Sequence, residues 1–405
     1  MIGLFKKQNI LLIIIFLIYF HCFSYIHYDY VLMGWIMNII GITCLFYFVF
    51  LKKKNKTEYL GRILFLMLLF PMLSIIPSVF ENNQDLISSI KSFFPYFIIL
   101  VYYIFHEKGV DERKLIKILL WGTLIRDGIT FIEQFTYPVF LFSSRGIGED
   151  LNGIVQDIEV RSGFYRYMLS EPLLNVICIF YCWDQYLKKH DNSKLWLFAI
   201  YLFGLWMDQC RQIMASVVLC LALSLFFSKK GKMNVVLIFL ALGLVFYEYS
   251  DLLFGEMSQK TNVELKNEDN VRYLSIAYYF YDFWGGPLSR FFGNGIPLYG
   301  SSYYNDVIKA QSMGLWRVDI GVIGGYNQFG ILSILIFYWF AAYVFIHRKK
   351  IDLYLQLYTY SNVFSSIFVY PFIMSSAYWF FQAILMYLID KSIQKHEENI
   401  YIAKS

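Results

Sequence analysis

The sequence predicts an all-α protein: a polytopic transmembrane helical bundle of about 12 spans, with a large extracytoplasmic cap loop between spans nine and ten. Three observations carry this. The 405 residues are 58% hydrophobic and 16% charged, whereas soluble domains are roughly 25% charged. Apolar runs near the roughly 20 residues needed to cross the hydrocarbon core recur from end to end. The loops between those runs alternate in charge. The strands of a transmembrane barrel would alternate polar and apolar residues, and these runs do not. The first run, NILLIIIFLIYF, lacks a small-residue cleavage site and reads as a span rather than a cleaved signal.

The predicted spans centre near residues 10–27, 30–50, 60–80, 86–105, 115–137, 166–187, 195–208, 211–228, 233–250, 318–346, 353–374 and 377–390. Alternate loops are basic: KKKNK at 52–56, EKGVDERK at 107–114, KKHDNSK at 188–194, KKGK at 229–232 and HRKK at 347–350. The positive-inside rule makes these cytoplasmic, together with both termini. The opposite short loops, HYDY at 27–30 and ENNQD at 81–85, carry no Lys or Arg. Two long loops, 138–165 and 251–317, then face outward. Residues 1–405 form one integral membrane domain, with 251–317 as the cap within it. In the cap, EDNVRYLSIAYYFYDFW at 268–284 predicts a helix capped by Asn270 and lying at the membrane surface. The glycine-punctuated GGPLSRFFGNGIPLYGSSYY follows it.

The net charge of +5 resides mostly in the short loops and does not indicate nucleic acid. Cys22, Cys44, Cys178, Cys182, Cys210 and Cys220 all lie in or beside apolar runs, without a His and carboxylate set that would make a metal site. No metal or cofactor is expected.

Charges inside spans need a reason, because an ionisable group in a bilayer is costly and generally faces a partner or a cavity. Asp208 and Arg211 interrupt LFGLWMDQCRQIMASVVLCL. They are either a tight interfacial turn with Arg211 snorkelling or a polar site opening outward. Arg126, Asp127 and Glu133 lie within span five, and Glu171 precedes Pro172 in span six. Arg145, Arg161, Arg166, Arg272, Arg290 and Arg317 lie on the outer side, where Arg outnumbers Lys. Arginine forms bidentate contacts to phosphate oxygens, so an outward arginine cluster points to an anionic ligand such as a lipid phosphate or pyrophosphate. The cap tyrosines, Tyr299 among them, suit either an interfacial belt or stacking on sugar rings. Asp319 opens span ten, either as an acid on the helix dipole or as a carboxylate that takes a proton from an attacking hydroxyl.

At these residues the chain resembles the O-antigen polymerase and O-antigen ligase superfamily of bacterial polysaccharide assembly. The resemblance runs through Arg211 in DQCRQIMAS, Arg272 in NVRYLSIAYYF, Gly293-Asn294-Gly295 in FFGNGIPLYG, and Asp319 with Gly330-Ile331-Leu332, over about residues 205–345. The N-terminal half is similar in topology alone. The ligases carry a histidine near the end of the outer loop and this loop has none, with Asp319 nearest in order, which favours the polymerase branch. The resemblance implies a metal-independent glycosyltransferase of the bacterial cytoplasmic membrane. It would transfer a glycan from a polyprenyl pyrophosphate to a lipid-linked repeat unit. Arg211 and Arg272 would stabilise the leaving pyrophosphate, and Asp319 would be the base. Arg126, Arg161, Arg166, Glu171, Asp208, Arg290, Asn294, Tyr299 and Arg317 would contact substrate. Membrane lipid and a chain-length regulator protein are the expected partners besides the lipid-linked oligosaccharide. The rival readings are a glycan ligase with the same donor, a flippase or transporter, and a binding protein without chemistry. A transporter commonly shows two related halves, and none is visible here.

Overall fold

The structure is a computed structural model that describes residues 30–52, 58–136, 160–161, 164–165, 172–208, 210–227 and 270–404. The spans read at 10–27 and 233–250, the loop at 229–232 and residues 251–269 lie outside the described residues.

Among the described residues the chain is helical apart from one two-residue ladder. In chain order the elements are α1 (Tyr30–Phe46, continued by a π turn, Tyr47–Leu51), α2 (Gly61–Met72), α3 (Ile75–Phe80), α4 (Leu86–Lys91), a 3₁₀ turn (Phe94–Leu100), α5 (Val101–Lys108) and α6 (Glu112–Thr136). Strands β1 (Val160–Arg161) and β2 (Phe164–Tyr165) pair antiparallel. Then come α7 (Leu173–Lys189), α8 (Asn192–Met207), α9 (Arg211–Phe227), α10 (Val271–Ala277, continued by a π turn, Tyr278–Asp282), α11 (Pro287–Phe292) and α12 (Ser302–Ser312). A 3₁₀ turn (Arg317–Ile320) leads into α13 (Gly321–Ile346), followed by α14 (Leu353–Ser365), α15 (Pro371–Met374) and α16 (Ser376–Lys404).

Among the described residues, three stretches are long and apolar enough to cross a membrane: Gly34–Leu51, Gly61–Phe80 and Arg317–Ile346. The other expected spans that fall on described residues are helical but short, interrupted or charged. Residues 86–108 break into α4, a 3₁₀ turn and α5, with Pro95 at the start of that turn. The region 353–374 is broken between Ser365 and Pro371. The helix α6 carries Arg126, Asp127 and Glu133, all buried. The last helix outruns its apolar stretch: α16 continues from Asp390 to Lys404. Its tail holds i,i+4 partners such as Gln394 and Glu398 (3.0 Å), which support an exposed helix.

The chain divides into two compact units, residues 1–29, 113–267 and 353–361 in one, and 30–112, 268–352 and 362–405 in the other. In the first unit α7 and α8 form a tight antiparallel hairpin. His190 adopts φ 52° at the end of α7, and the Asp191 side chain caps α8 by accepting from Ser193 N at 2.9 Å. Trp183 packs on Phe198 across the hairpin (5.4 Å between ring centres) and donates to Ser224 Oγ on α9 at 2.9 Å.

The second unit has two polar ends. At one, the basic segments meet the start of α2 and the tail of α16. Lys52 pairs with Glu58 (3.1 Å), Lys350 with Glu397 (2.8 Å), and Tyr59 donates to Glu397 (2.9 Å). Asp390 accepts from the Leu60 N–H at the start of α2 (3.2 Å), from Tyr102 Oη, and lies 3.1 Å from His106 Nε2. From there α2 and α3 climb to the other end. They are offset where Pro77 has no N–H for the Leu73 carbonyl, which accepts from Ile76 N (3.1 Å) instead. At the far end the ENNQD turn after α3 holds the segment 285–301.

Gly330 breaks α13 at φ 75°, ψ 175°, a conformation essentially confined to glycine. An added Cβ would lie 2.3 Å from the Phe291 carbonyl oxygen. Gly330→Ala should therefore cost about 1–3 kcal/mol from backbone strain before the clash is counted. Gly34→Ala, with nothing within 4 Å of the new methyl, should be neutral or slightly stabilising. Denaturant unfolding of the two variants in detergent checks the contrast; equal stability of the two would contradict the break at Gly330.

Candidate functional site

Two polar assemblies, one in each unit, hold four of the sequence-predicted residues: Arg126 and Asp208 in the first, Asn294 and Arg317 in the second. In the first, Arg126 on α6 reaches three neighbours. Its Nη1 donates to Asp127 Oδ1 (3.0 Å) and Asn175 Oδ1 (2.8 Å), and its Nη2 to Asp208 Oδ1. Asn175 on α7 returns Nδ2 to Asp127 Oδ2 (2.8 Å) and to the Tyr201 carbonyl (3.1 Å). All four side chains are buried. The helix α8 approaches this closely because residue 204 is glycine: a Cβ there would lie 2.2 Å from Asp127 Oδ2. Arg126 lies 14 residues beyond Glu112, and Asp208 16 beyond Asn192. At about 1.5 Å rise per residue, both sit roughly 21–24 Å along helices that begin in basic loops.

Asp208, adjacent to Arg211 in the chain, is thus spoken for by an arginine 82 residues away. One guanidinium serves two carboxylates, and breaking a buried pair by removing one partner is far more costly than the pair is stabilising.

In the second unit the centre is the turn Gly293-Asn294-Gly295. Gly293 and Gly295 have φ 84° and 82°, the left-handed region that side chains disfavour. A Cβ on Gly293 would lie 2.4 Å from Gly330 N, and one on Gly295 2.0 Å from Ser78 Oγ. The break at Gly330 leaves carbonyls of α13 for this turn: Asn294 N donates to Asn327 O and Gly295 N to Gln328 O, both at 2.8 Å. Asn294 is fully buried and its carboxamide is used internally. Its Nδ2 donates to Phe283 O (3.0 Å), and its Oδ1 accepts from Asn82 Nδ2 (3.2 Å) and Gly285 N (3.3 Å).

The ENNQD turn clasps this assembly at three points. Glu81 accepts from Leu288 N (2.8 Å) and Ser289 N (2.7 Å), capping α11. Asn82 and Ser78 both donate to the Asn294 carbonyl (3.1 and 2.8 Å). Gln84 donates to Ile296 O (3.1 Å) and accepts from Leu298 N (2.9 Å) and Ser301 Oγ (3.0 Å). Farther along, Tyr303 Oη donates to Gly295 O (3.2 Å) and accepts from Arg317 Nη1 (3.0 Å). A small core of Tyr279, Ala310 and Ile320 ties α10, α12 and the turn before α13 together. Asn327 Nδ2 donates to the Tyr279 and Phe283 carbonyls (2.8 and 2.9 Å), next to the π turn. Burial pushes the Tyr279 hydroxyl up to about 12, against the pull of nearby Arg317; burial raises Tyr303 too.

The structure therefore joins Arg126 to Asp208, and Asn294 to Arg317 through Gly295 and Tyr303. Arg211 is the half-buried first residue of α9, in the first unit. Arg272, half-buried in the first turn of α10, has its N–H capped by Asn270 Oδ1 (2.9 Å). Asp319 is exposed in the 3₁₀ turn before α13. Arg290 and Tyr299 are exposed, with the Arg290 carbonyl accepting from Tyr326 (2.6 Å). These last four belong to the second unit. Arg161 is described through the backbone of β1 alone; Arg145, Arg166 and Glu171 lie outside the described residues. Glu81, Asn82, Gln84, Asn175 and Asn327 were not singled out by the sequence. The five-residue polar run ENNQD and the lone Asn175 within an apolar stretch were the available signals. Among the described residues no three metal-ligating side chains converge.

No protein-family model matches the chain, and no curated protein matches it in sequence.

Arg126→Leu should reduce stability by about 3–5 kcal/mol, because Asp127 and Asp208 are left buried together. Unfolding of the purified protein in detergent measures it; a change within about 1 kcal/mol would show that the pair is screened by water.

Proposed function

We propose that the chain is a polysaccharide repeat-unit polymerase of the bacterial cytoplasmic membrane, crossing it about 12 times with residues 251–317 outside. An acceptor hydroxyl on a lipid-linked repeat unit attacks the anomeric carbon of the donor glycan. A new glycosidic C–O bond forms, the anomeric C–O bond to phosphate breaks, and polyprenyl pyrophosphate leaves with the electron pair. Asp319 takes the hydroxyl proton. Arg211 and Arg272 stabilise the charge on the departing pyrophosphate, the kind of interaction that often contributes most to catalysis.

The observation that carries this reading is the continuity of the second unit. Arg272 at the start of α10, the Gly293–Gly295 turn and Asp319 at the start of α13 are the ordered motif residues of the resemblance. They belong to one folded segment seated on the Gly330 break and the ENNQD turn. The orientation is supported by the separation of polar ends. The Lys- and Arg-free turn at 81–85 bonds the 285–301 segment, while the basic segments meet the opposite end of α2. The internal bonding of Arg126 and Asp208 suits bracing of the first unit, and that of Asn294 bracing of the second; Arg211, Arg272, Arg290, Tyr299 and Arg317 are the proposed contacts to substrate. Fully lipid-linked substrates imply membrane lipid as a constant neighbour and leave room for a chain-length regulator.

Reconstitution with a lipid-linked repeat unit tests the reading: a ladder of glycans is expected. Transfer of a single unit to a different acceptor would indicate a ligase, and transbilayer movement without new glycosidic bonds a flippase. In the same assay Asp319→Asn should fold and turn over at least about 100-fold more slowly. Arg211→Lys and Arg272→Lys should fail nearly as badly as the Ala variants, because lysine lacks the planar fork. Full-length polymer from both Lys variants would remove the pyrophosphate role, and near-normal turnover by the Asn variant would remove Asp319 as base.

A further inference from the structure

Arg126 and Arg317 are the two buried arginines among the described residues, and their surroundings differ in kind. Arg126 faces two carboxylates. Arg317, 7% exposed, makes one side-chain hydrogen bond, Nη1 to Tyr303 Oη at 3.0 Å, and no carboxylate of the described residues lies within 4 Å of it. Phenols are among its near neighbours: Tyr96, Tyr279 and Tyr303 all lie close enough to feel its charge, and Tyr303 feels the Asp306 carboxylate as well. Two of these hydroxyls are committed to carbonyls, Tyr279 to Leu315 O and Tyr303 to Gly295 O, each at 3.2 Å. Nε and Nη2 make no protein bond, yet neither is among the fully enclosed unbonded atoms, so both keep access to solvent.

A guanidinium cannot shed its proton to escape burial. Left without a counter-charge, it is among the costliest groups a fold can enclose. The segment nevertheless fixes it firmly, with Arg317 O in the path of any Cβ on Gly324 (2.0 Å) and Tyr303 buried against Gly295.

We propose that Arg317, in this tyrosine-lined recess, is an oxyanion-binding site whose ligand presents two oxygens to Nε and Nη2. A phosphate or a carboxylate meets that requirement. The first source is the pyrophosphate of a lipid-linked donor, the second an acidic sugar in the glycan. The site adds to the reading above a cation distinct from Arg211 and Arg272, and its test needs no turnover, so failure of the polymerase reading and failure of this site are separable.

The test uses the full chain, purified in detergent, carrying Arg211→Gln and Arg272→Gln so that the arginines of the proposed reaction do not report. Inorganic pyrophosphate and glucuronate are titrated calorimetrically at matched ionic strength, since non-specific attraction is screened by salt. Saturable binding of at least one probe is expected, weakened at least about tenfold by adding Arg317→Gln, which removes the charge-assisted fork. Preference for pyrophosphate assigns the carrier; preference for glucuronate assigns an acidic sugar. Should the Gln variant not fold, Arg317→Lys keeps the charge, loses the fork and is expected to weaken binding at least about fivefold. Affinity unchanged by the substitution that folds, or no saturable binding of either probe below about 10 mM, would overturn the site.

Discussion

Backbone N–H and C=O groups released inside an apolar bundle must find partners within the protein, and the arrangement of the second unit follows from how it meets that demand. The helix α13 is broken at Gly330, and the carbonyls of Asn327 and Gln328 accept from the turn at Asn294 and Gly295. That turn is possible because Gly293 and Gly295 take positive φ and bring no Cβ against Gly330 or Ser78. The Asn294 carbonyl is met by Ser78 and Asn82, the Gly295 carbonyl by Tyr303, and the Ile296 carbonyl just beyond by Gln84. A short polar loop, a glycine turn and a broken helix, each unsatisfied alone, complete one another. The position of Arg317 and of the turn carrying Asp319 depends on that lock through Tyr303 and the Tyr279 core.

The same accounting separates the arginines. Arg126 is enclosed with Asp127, Asn175 and Asp208 in a set that engages both of its Nη groups, so it holds α6, α7 and the end of α8 together. Gly204 shows how tightly that set is wrapped. Arg317 is enclosed without a carboxylate, among phenols. A fold that neutralises one buried guanidinium twice over and leaves another unneutralised is distinguishing brace from receptor.

Much of this was legible in the sequence, for identifiable reasons. Apolar runs located the helices of 30–50, 60–80, 115–137, 195–208 and 318–346 because burial in an apolar medium leaves few other options for the backbone. Asn270 was readable as a cap because it precedes an aromatic-rich run. Local signals could not show that Asp208 bonds Arg126, since the partner lies 82 residues away; adjacency pointed to Arg211 instead. The role of ENNQD was hidden likewise: its lack of Lys and Arg spoke to sidedness, but hydrogen bonding to residues more than 200 positions away leaves no periodic trace. Nor did the end of the apolar stretch at Asp390 mark the end of α16, because an exposed helix can continue on polar side-chain pairs.

The ENNQD turn and the 285–301 segment lock together, and the proposed function requires that this lock face outward. The pair Glu81→Cys and Gly285→Cys tests it most directly, since a Cβ at residue 285 would lie 2.9 Å from the Glu81 Cβ and disulfides need about 3.8 Å, a small relaxation away. In whole cells, the pair should form a disulfide on mild oxidation, and a membrane-impermeant maleimide added first should block it. No disulfide would contradict the lock, and a disulfide blocked by the maleimide solely after permeabilisation would contradict the outward face.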